Sequence, residues 1–509
     1  MHLLDLPEDV LTIIFYHLIS TSNVEKVIEL ETTCKQIRRL CFLRESWIAA
    51  LETLGSRPPF RASRAALLSL NAAELRTEII RAVKLDRSWK AGNGPLLKDT
   101  IVIPYAPINH PRRRAYVDFR VIPEADLILA CLWRNGLEAW SISAKEAVWI
   151  YMDLQVEEED HGHTSPNYYP ITVGYEVADD APSVTFALLY TQNTGEMFIR
   201  VLRLDTDTYS SEVLYESPPM PVFDIQPDGI HIRDAYVVIA YTFVRDTVGF
   251  LVLNWHESLF YRIQGPASPS KPASALTTGH IFYAFPESGL RHFCLASVRY
   301  RKIVGSSSLI SAEWPTYKAS DFEELGAYSI VLLPYDTPPV SVHRHIARLS
   351  CQVSAMVSNW SKSPTSRINV TTYSATFNTH WPRVNIYELE IERDSDGREM
   401  LALKHHYNSQ ERIMFDTDLS TAGRAMVRRH SLDATTRVAT ELCTFAAVEE
   451  TDGNSAEDKM TRRQYRAIKF DEGNVRRLDP NVMFQTMDPL GRMLVYASRQ
   501  GMVVIRFDE

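Results

Sequence analysis

From about residue 97 to Glu509 the chain carries short β-branched and aromatic runs separated by Gly, Pro, Asn and Asp, with no long helical period among them. The first such runs are Thr100–Tyr105, Tyr116–Ile122, Leu127–Trp133, Leu137–Ile142 and Ala147–Met152. So many short strands in one open sheet would leave long unpaired edges. The pattern therefore predicts several small sheets repeated around an axis. A weak internal repeat supports this, in residues 117–151, 223–263 and 484–509. Each reads strand, Pro-containing turn, strand, Gly turn, strand. The turns are Pro123-Glu-Ala-Asp126, Pro227-Asp-Gly229 and Pro489-Leu-Gly491, and the later strands end near Trp140, Trp255 and Phe507. Such a ring closes only if its last sheet is completed from elsewhere. The chain ends on a strand, Met502–Phe507, so the early strand Thr100–Tyr105 is expected to pair with it.

The front of the chain has a different period. Pro7 suits a first helical position, and Glu8 and Asp9 sit where the helix dipole favours negative charge. Val10, Leu11, Ile14 and Leu18 then form one apolar stripe. Ser22 with Glu25 and Thr33 with Gln36 match the capping-box spacing, and the positions that follow include Val27, Leu30, Cys34, Ile37, Leu40 and Cys41, closed by Trp47. A unit this small is marginal alone. Physically it is either a cap packed on the rest of the chain or a docking module for a partner helix. A second helical patch follows Pro58-Pro59, with Asn71 and Glu74 as a capping box and Leu75, Ile79, Ile80 and Val83 as its stripe. The expected organisation is a helical unit at 1–54, a helical linker at 55–95 and a strand-rich domain at 96–509.

The front stretch, with Leu6-Pro7, the Leu11/Ile14/Leu18 stripe, then Leu30, Cys34, Ile37, Leu40 and Trp47, resembles an F-box. That resemblance implies docking to the Skp adaptor of a cullin–RING ubiquitin ligase through Leu6, Pro7, Val10, Leu11, Ile14, Leu18, Leu30, Cys34, Ile37 and Leu40. Ile37 stands where the family often has an aromatic residue. The strand repeats resemble degenerate WD-repeat blades, with Ala139-Trp140-Ser141 in the place of the Trp-Asp turn. Seven blades would average about 58 residues against about 40–45 for WD repeats, so long loops at 155–169, 266–275, 321–325, 394–398 and 449–459 are expected to absorb the excess. The combination resembles fungal F-box/propeller proteins. The fold class expected is α+β multidomain: small helical F-box and linker, then an all-β propeller of about seven blades.

Totals bound the alternatives. The chain has 509 residues, 45% hydrophobic and 23% charged, as in folded globular protein. Its formal charge of −9 speaks against general nucleic-acid binding. No apolar run is long enough to span a membrane, and no basic region precedes the first apolar stripe, so neither membrane nor secretion is expected. Six scattered cysteines without a CxxC pair read as free thiols in a reducing compartment, cytoplasmic or nuclear.

No nucleophile elbow, phosphate-binding loop or dinucleotide fingerprint is present, and no cofactor is expected. Glu157–His163 gathers carboxylates and two histidines, but its acidic run and Pro166 read as a solvated loop rather than a metal site. Pro111-Arg112-Arg113-Arg114 is the densest basic run. Arg112, Arg113 and Arg114, with Arg134, are candidates to hold an acidic or phosphorylated substrate segment through bidentate contacts. The implied function is substrate recognition in a ubiquitin ligase, with the Skp adaptor, the cullin scaffold and an unknown substrate protein as partners. A scaffold without ligase activity and a propeller enzyme with a site in its channel are the alternatives.

Overall fold

The computed structural model describes residues 43–54 and 64–90, the strands given below with several of their turns, and, nearer the N-terminus, Pro7, Val10, Leu11, Ile13, Ile14, Lys35, Arg38 and Arg39. Three helices are bounded: α1 (Arg44–Leu54), α2 (Arg64–Ser69) and α3 (Ala72–Lys90). The capping box at α3 forms in full. Asn71 Oδ1 accepts from the Ala73 and Glu74 amides at 3.0 Å each, and the Asn71 amide donates back to Glu74 Oε2 at 3.1 Å. Arg44 closes the other end of the neighbouring helix by donating to the Leu68 and Leu70 carbonyls. Trp47, Ala50 and Leu51 of α1 share one apolar cluster with Leu75, Ile79 and Ala82 of α3 and with Leu67 and Leu11. Helices on both sides of residue 55 therefore belong to one core.

Strands begin at β1 (Leu96–Pro104). Sheet 1 is β2 (Tyr116–Ile122), β3 (Leu127–Leu132), β4 (Gly136–Ser141) and β5 (Glu146–Tyr151). Sheet 2 is β6 (Thr172–Val177), β7 (Ser183–Thr191), β8 (Glu196–Asp205) and β9 (Ser211–Glu216), with the two-residue β10 (Met220–Pro221) also on β8. Sheet 3 is β11 (Ile225–Arg233), β12 (Tyr236–Phe243), β13 (Thr247–Asn254) and β14 (Leu259–Ala267). Sheet 4 takes β15 (Ala273–Leu276), β16 (His280–Pro286), β17 (Phe293–Arg299) and, after β18 (Thr316–Lys318), β19 (Tyr328–Leu333). Sheet 5 is β20 (Ile346–Val357), β21 (Ser366–Thr376), β22 (Arg383–Arg393) and β23 (Glu399–Ser409). Sheet 6 is β24 (Ile413–Phe415), β25 (Ala425–Leu432), β26 (Val438–Glu450) and β27 (Arg462–Lys469). Sheet 7 is β28 (Gln485–Met487), β29 (Met493–Ala497), β30 (Gly501–Asp508) and, as its fourth strand, β1.

The described residues thus form seven antiparallel meanders, with both ends of the strand region in one sheet. That arrangement is consistent with a propeller. The expected closing pair is present: β1 runs antiparallel to β30 from Leu96–Asp508 to Pro104–Gly501. First strands touch first strands, β2 with β28, β6 with β11, β11 with β15 and β15 with β20, which places them toward the axis.

Central strands are apolar on both faces because sheets stack on both sides. In sheet 1, Ile128, Ala130 and Trp140 face Val495, Met502 and Val504 of sheet 7. Leu127, Leu129 and Cys131 face Val184, Phe186 and Leu188 of sheet 2. Sheet 3 does the same, with Val237 and Ile239 toward sheet 2 and Val238 and Ala240 toward sheet 4. Each fully buried aliphatic side chain contributes roughly 1.5–3 kcal/mol.

Sheets 1 to 3 repeat a clamp between turns. The Ile142 amide donates to the Asp126 carbonyl (3.0 Å), Thr206 to Pro182 (2.7 Å) and Trp255 to Ala235 (2.9 Å). In each case the turn after the third strand is tied to the turn after the first. Left-handed backbone recurs at these turns in Asp126, Lys145, Tyr209, Asp234 and Ser258.

Two expected loops are shorter than proposed. Pro266 and Ala267 end β14 and Ala273–Ala275 open β15, while Glu449 and Glu450 belong to β26. Pro266 is tolerated because the register between β13 and β14 shifts there, so no ladder donor is required of it. Trp140 is a core residue at 1% exposure, whereas Trp255 is half-buried and donates its indole N–H to the Asp234 carbonyl at 3.1 Å.

A Cβ on Gly501 would lie 2.2 Å from the Ile103 carbonyl oxygen and 3.0 Å from Pro104 Cα. Gly501→Ala should push the two closing strands apart and destabilise the domain by about 2 kcal/mol. A lowered urea midpoint at unchanged slope is the expected reading; an unchanged midpoint would show that the closing joint carries no strain at this position.

Candidate functional site

The first strands bring three polar groups together at the axis. Arg120 comes from β2, His231 from β11 and Ser274 from β15. His231 Nε2 lies 3.0 Å from Ser274 Oγ and ties sheets 3 and 4 together across their inner strands. Tyr175 of β6 donates to the Val121 carbonyl of β2 at 3.2 Å, tying sheets 1 and 2 in the same layer. Between them Gly174 is required by close approach: a Cβ there would sit 2.8 Å from the Ile230 carbonyl oxygen. His231 is half-buried and walled by these strands. Burial, reinforced by the Arg120 charge, pushes its pKa down to about 4, so the ring is neutral at pH 7.

A second polar group lies where sheets 1 and 2 meet. Arg200 of β8 pairs with Glu216 of β9 at 2.8 Å and donates to the Tyr151 hydroxyl of β5. Tyr190 donates to the other Glu216 oxygen at 2.8 Å, and the guanidinium lies 5.0 Å from the Tyr190 ring centre. Burial pushes the Glu216 carboxyl up, but its bonds to Arg200 and Tyr190 outweigh this and hold it below its ordinary value. Burial raises the Tyr151 and Tyr190 hydroxyls, so both stay protonated donors. These bonds join β5 of sheet 1 to β8 and β9 of sheet 2, which makes the group a latch between sheets.

The third feature is the joint between helices and sheets. Trp89, near the end of α3, is fully buried and meets the Phe507 ring of β30 edge-on, with centroids 5.2 Å apart.

Of the residues proposed to meet an adaptor, Pro7 is exposed, Val10 and Ile14 are half-buried, and Leu11 is turned into the helical core at 3% exposure. The Leu11 amide donates to the Pro7 carbonyl at 3.0 Å, the first helical bond after the proline. Ile13 stands out from the same helix at 68% exposure. Leu6, Leu18, Leu30, Cys34, Ile37 and Leu40 lie outside the described residues, as do Arg112, Arg113, Arg114 and Arg134 and the acidic His-containing run at 157–163. Among the described residues no group of three or more His, Cys, Asp or Glu is placed to hold a metal ion, and no helix is long and apolar enough to cross a membrane. The axial trio escaped sequence reading because its members lie on three strands far apart in the chain.

No protein family matches this sequence, and no curated protein matches it. Solved structures do align with it. The β-propeller domain of Myceliophteria thermophila Cps50 (Swd1) aligns at 10% identity and a TM-score of 0.40, covering 81% of this chain and 98% of that one. The WD40 domain of SCAP from fission yeast gives 10% and 0.39, covering 80% and 98%. The WD40 repeats of RRP9 give 10% and 0.38, covering 81% and 98%. At such values the fold stands on the strand order itself.

Folding places His231 neutral, whereas in the unfolded chain it titrates near the ordinary histidine value of 6.5. The folded pKa is depressed, so protons favour the unfolded chain as pH falls from about 6.5 to about 4. Urea midpoints should decline over that window, by at most about 3 kcal/mol in stability. His231→Gln should flatten the decline; a variant that keeps the full slope would place the titrating group elsewhere.

Proposed function

We propose that the chain is a protein-interaction subunit, and more specifically the substrate-recognition subunit of a cullin–RING ubiquitin ligase. Its N-terminal helices would dock on the Skp adaptor and its propeller would hold the substrate protein. The observation that carries the reading is the Trp89–Phe507 joint. A chain that only positions one protein near another needs a stiff connection between its two binding parts, and α3 enters the sheet domain through a fully buried aromatic contact. The resemblance of residues 3–51 to an F-box supplies the adaptor. In this role the chain raises effective concentration, and the bond-making belongs to other subunits. A scaffold that borrows the adaptor without ubiquitin transfer would share the geometry and differ in substrate turnover.

Ile13 is the point of attack for a test, because Leu11 supports the helical core and its loss would cost about 3 kcal/mol of fold. Purified Skp adaptor should retain the full chain. Ile13→Asp should lose at least tenfold in retention while its far-ultraviolet circular dichroism and urea midpoint stay unchanged. If the wild-type chain is not retained, the ligase assignment falls. If Ile13→Asp is retained as well as the wild type, the adaptor does not meet this helix face.

A further inference from the structure

The segment between β17 and β19 leaves sheet 4, where both those strands pair, and places β18 on sheet 3. There Thr316, Tyr317 and Lys318 run parallel to Arg262, Ile263 and Gln264 of β14, and the Arg262 amide donates to the Pro315 carbonyl at 2.8 Å. Four facts single this strand out. It is three residues long on a nine-residue partner. It is parallel, while the meanders are antiparallel throughout the described residues. It comes from another sheet, so the four-stranded meander of sheet 3 is complete without it. Finally, its side chains alternate: Thr316 and Lys318 are exposed, while Tyr317 between them packs on the apolar cluster of sheets 3 and 4, its ring edge-on to Tyr261 at 6.2 Å.

An extended segment that adds a strand to a sheet edge and seats alternate side chains is a recognised mode of peptide binding. Affinity comes from backbone hydrogen bonds, and selectivity from the pocket that takes the inward side chain. We propose that the outer edge of β14 is a docking site for an extended segment of a partner protein with an aromatic residue at its centre, and that β18 is the built-in occupant such a segment displaces. The chemistry of the partner is read from the occupant: a central tyrosine or similar ring, small or polar residues on either side, and a direction parallel to β14. A longer segment has the advantage, since β18 pairs with only three positions of β14. The proposal concerns the rim of the sheet domain and stands independently of the adaptor reading.

The probe is a fluorescently labelled peptide of residues 312–321, AEWPTYKASD. Tyr317→Ser in the full chain removes the inward ring and weakens the built-in strand. Anisotropy should show this variant binding the peptide at least tenfold more tightly than the wild type. A peptide with serine in place of its tyrosine should not bind. The Arg262 amide faces β18, so strand alternation turns the Gln264 amide to the same side. Gln264→Pro in the Tyr317→Ser background should abolish binding and leave the β13 ladder intact, since proline is tolerated on an edge. Hydrogen exchange reads the edge independently. Loss of protection at Arg262 and Gln264 in Tyr317→Ser without peptide binding would overturn the docking site. Unchanged protection there would overturn displacement, leaving β18 a fixed fifth strand. Dimerisation of the Tyr317→Ser and wild-type chains through exchanged β18 segments, seen by sedimentation, would assign the edge to a second copy and overturn the foreign partner.

Discussion

The antiparallel pairing of β1 with β30 is the contact on which the rest depends. It joins Leu96–Pro104 to the last strand of the chain, so the seventh sheet takes its fourth strand from the front of the strand region. Bringing such distant segments together costs loop-closure entropy, but that cost rises only with the logarithm of the loop. What offsets it is that the pairing also completes a hydrophobic joint. Ile101 and Ile103 of β1 enter the same cluster as Phe119, Ile128 and Trp140 of sheet 1. The helical unit depends on it too, because Trp89 rests on Phe507 of β30. Opening the joint would therefore expose a sheet edge, uncover an apolar face and free the helices from the sheets together.

Three kinds of bond organise the sheets at different radii. Near the axis there are sparse polar links between first strands, Tyr175 to Val121 and His231 with Ser274, and a backbone approach that only Gly174 permits. The middle is apolar on both faces of sheets 1 to 3. At the turns, backbone amides after the third strand reach back to carbonyls after the first. The Arg200–Glu216–Tyr190 latch is the exception, a charged group between sheets 1 and 2 in which the buried Arg200 is paired with Glu216.

Much of this architecture was legible in the sequence. Regular turn chemistry and the three visible repeats gave the meanders, and the lone terminal strand gave the closing pair. The Asn71–Glu74 box fixed the start of α3 because its geometry is local. What escaped was whatever depends on two distant segments. Three of the left-handed turn positions are filled by Lys145, Tyr209 and Ser258 rather than glycine, asparagine or aspartate, so the residue type did not announce them. The axial trio draws on strands separated by scores of residues. A strand that pairs with a neighbouring sheet has no local signature either, and β18 lay unnoticed in a stretch with neither repeat nor alternation. Among the adaptor candidates, stripe periodicity identified Leu11 as one of an apolar row, but periodicity alone does not say whether that row meets its own core or another protein.

The distribution of rigidity bears on where such a molecule can change. Core positions are buried on both faces, so a partner has no means of entering between well-packed sheets without unstacking them. Outer strands differ. Val102 of β1, Ile150 of β5 and Val213 of β9 stand about half-exposed on the rim, each on the fourth strand of its sheet. A fourth strand offers one free row of backbone donors and acceptors, the liability that β proteins must cover or blunt. Sheet 3 covers part of its row with a borrowed segment whose Tyr317 packs inward, while single hydrogen bonds link strands near the axis. Selective contacts in a fold of this kind are therefore expected at the rim and around the axis, where removing one bond alters one joint and leaves the stacked apolar faces in place.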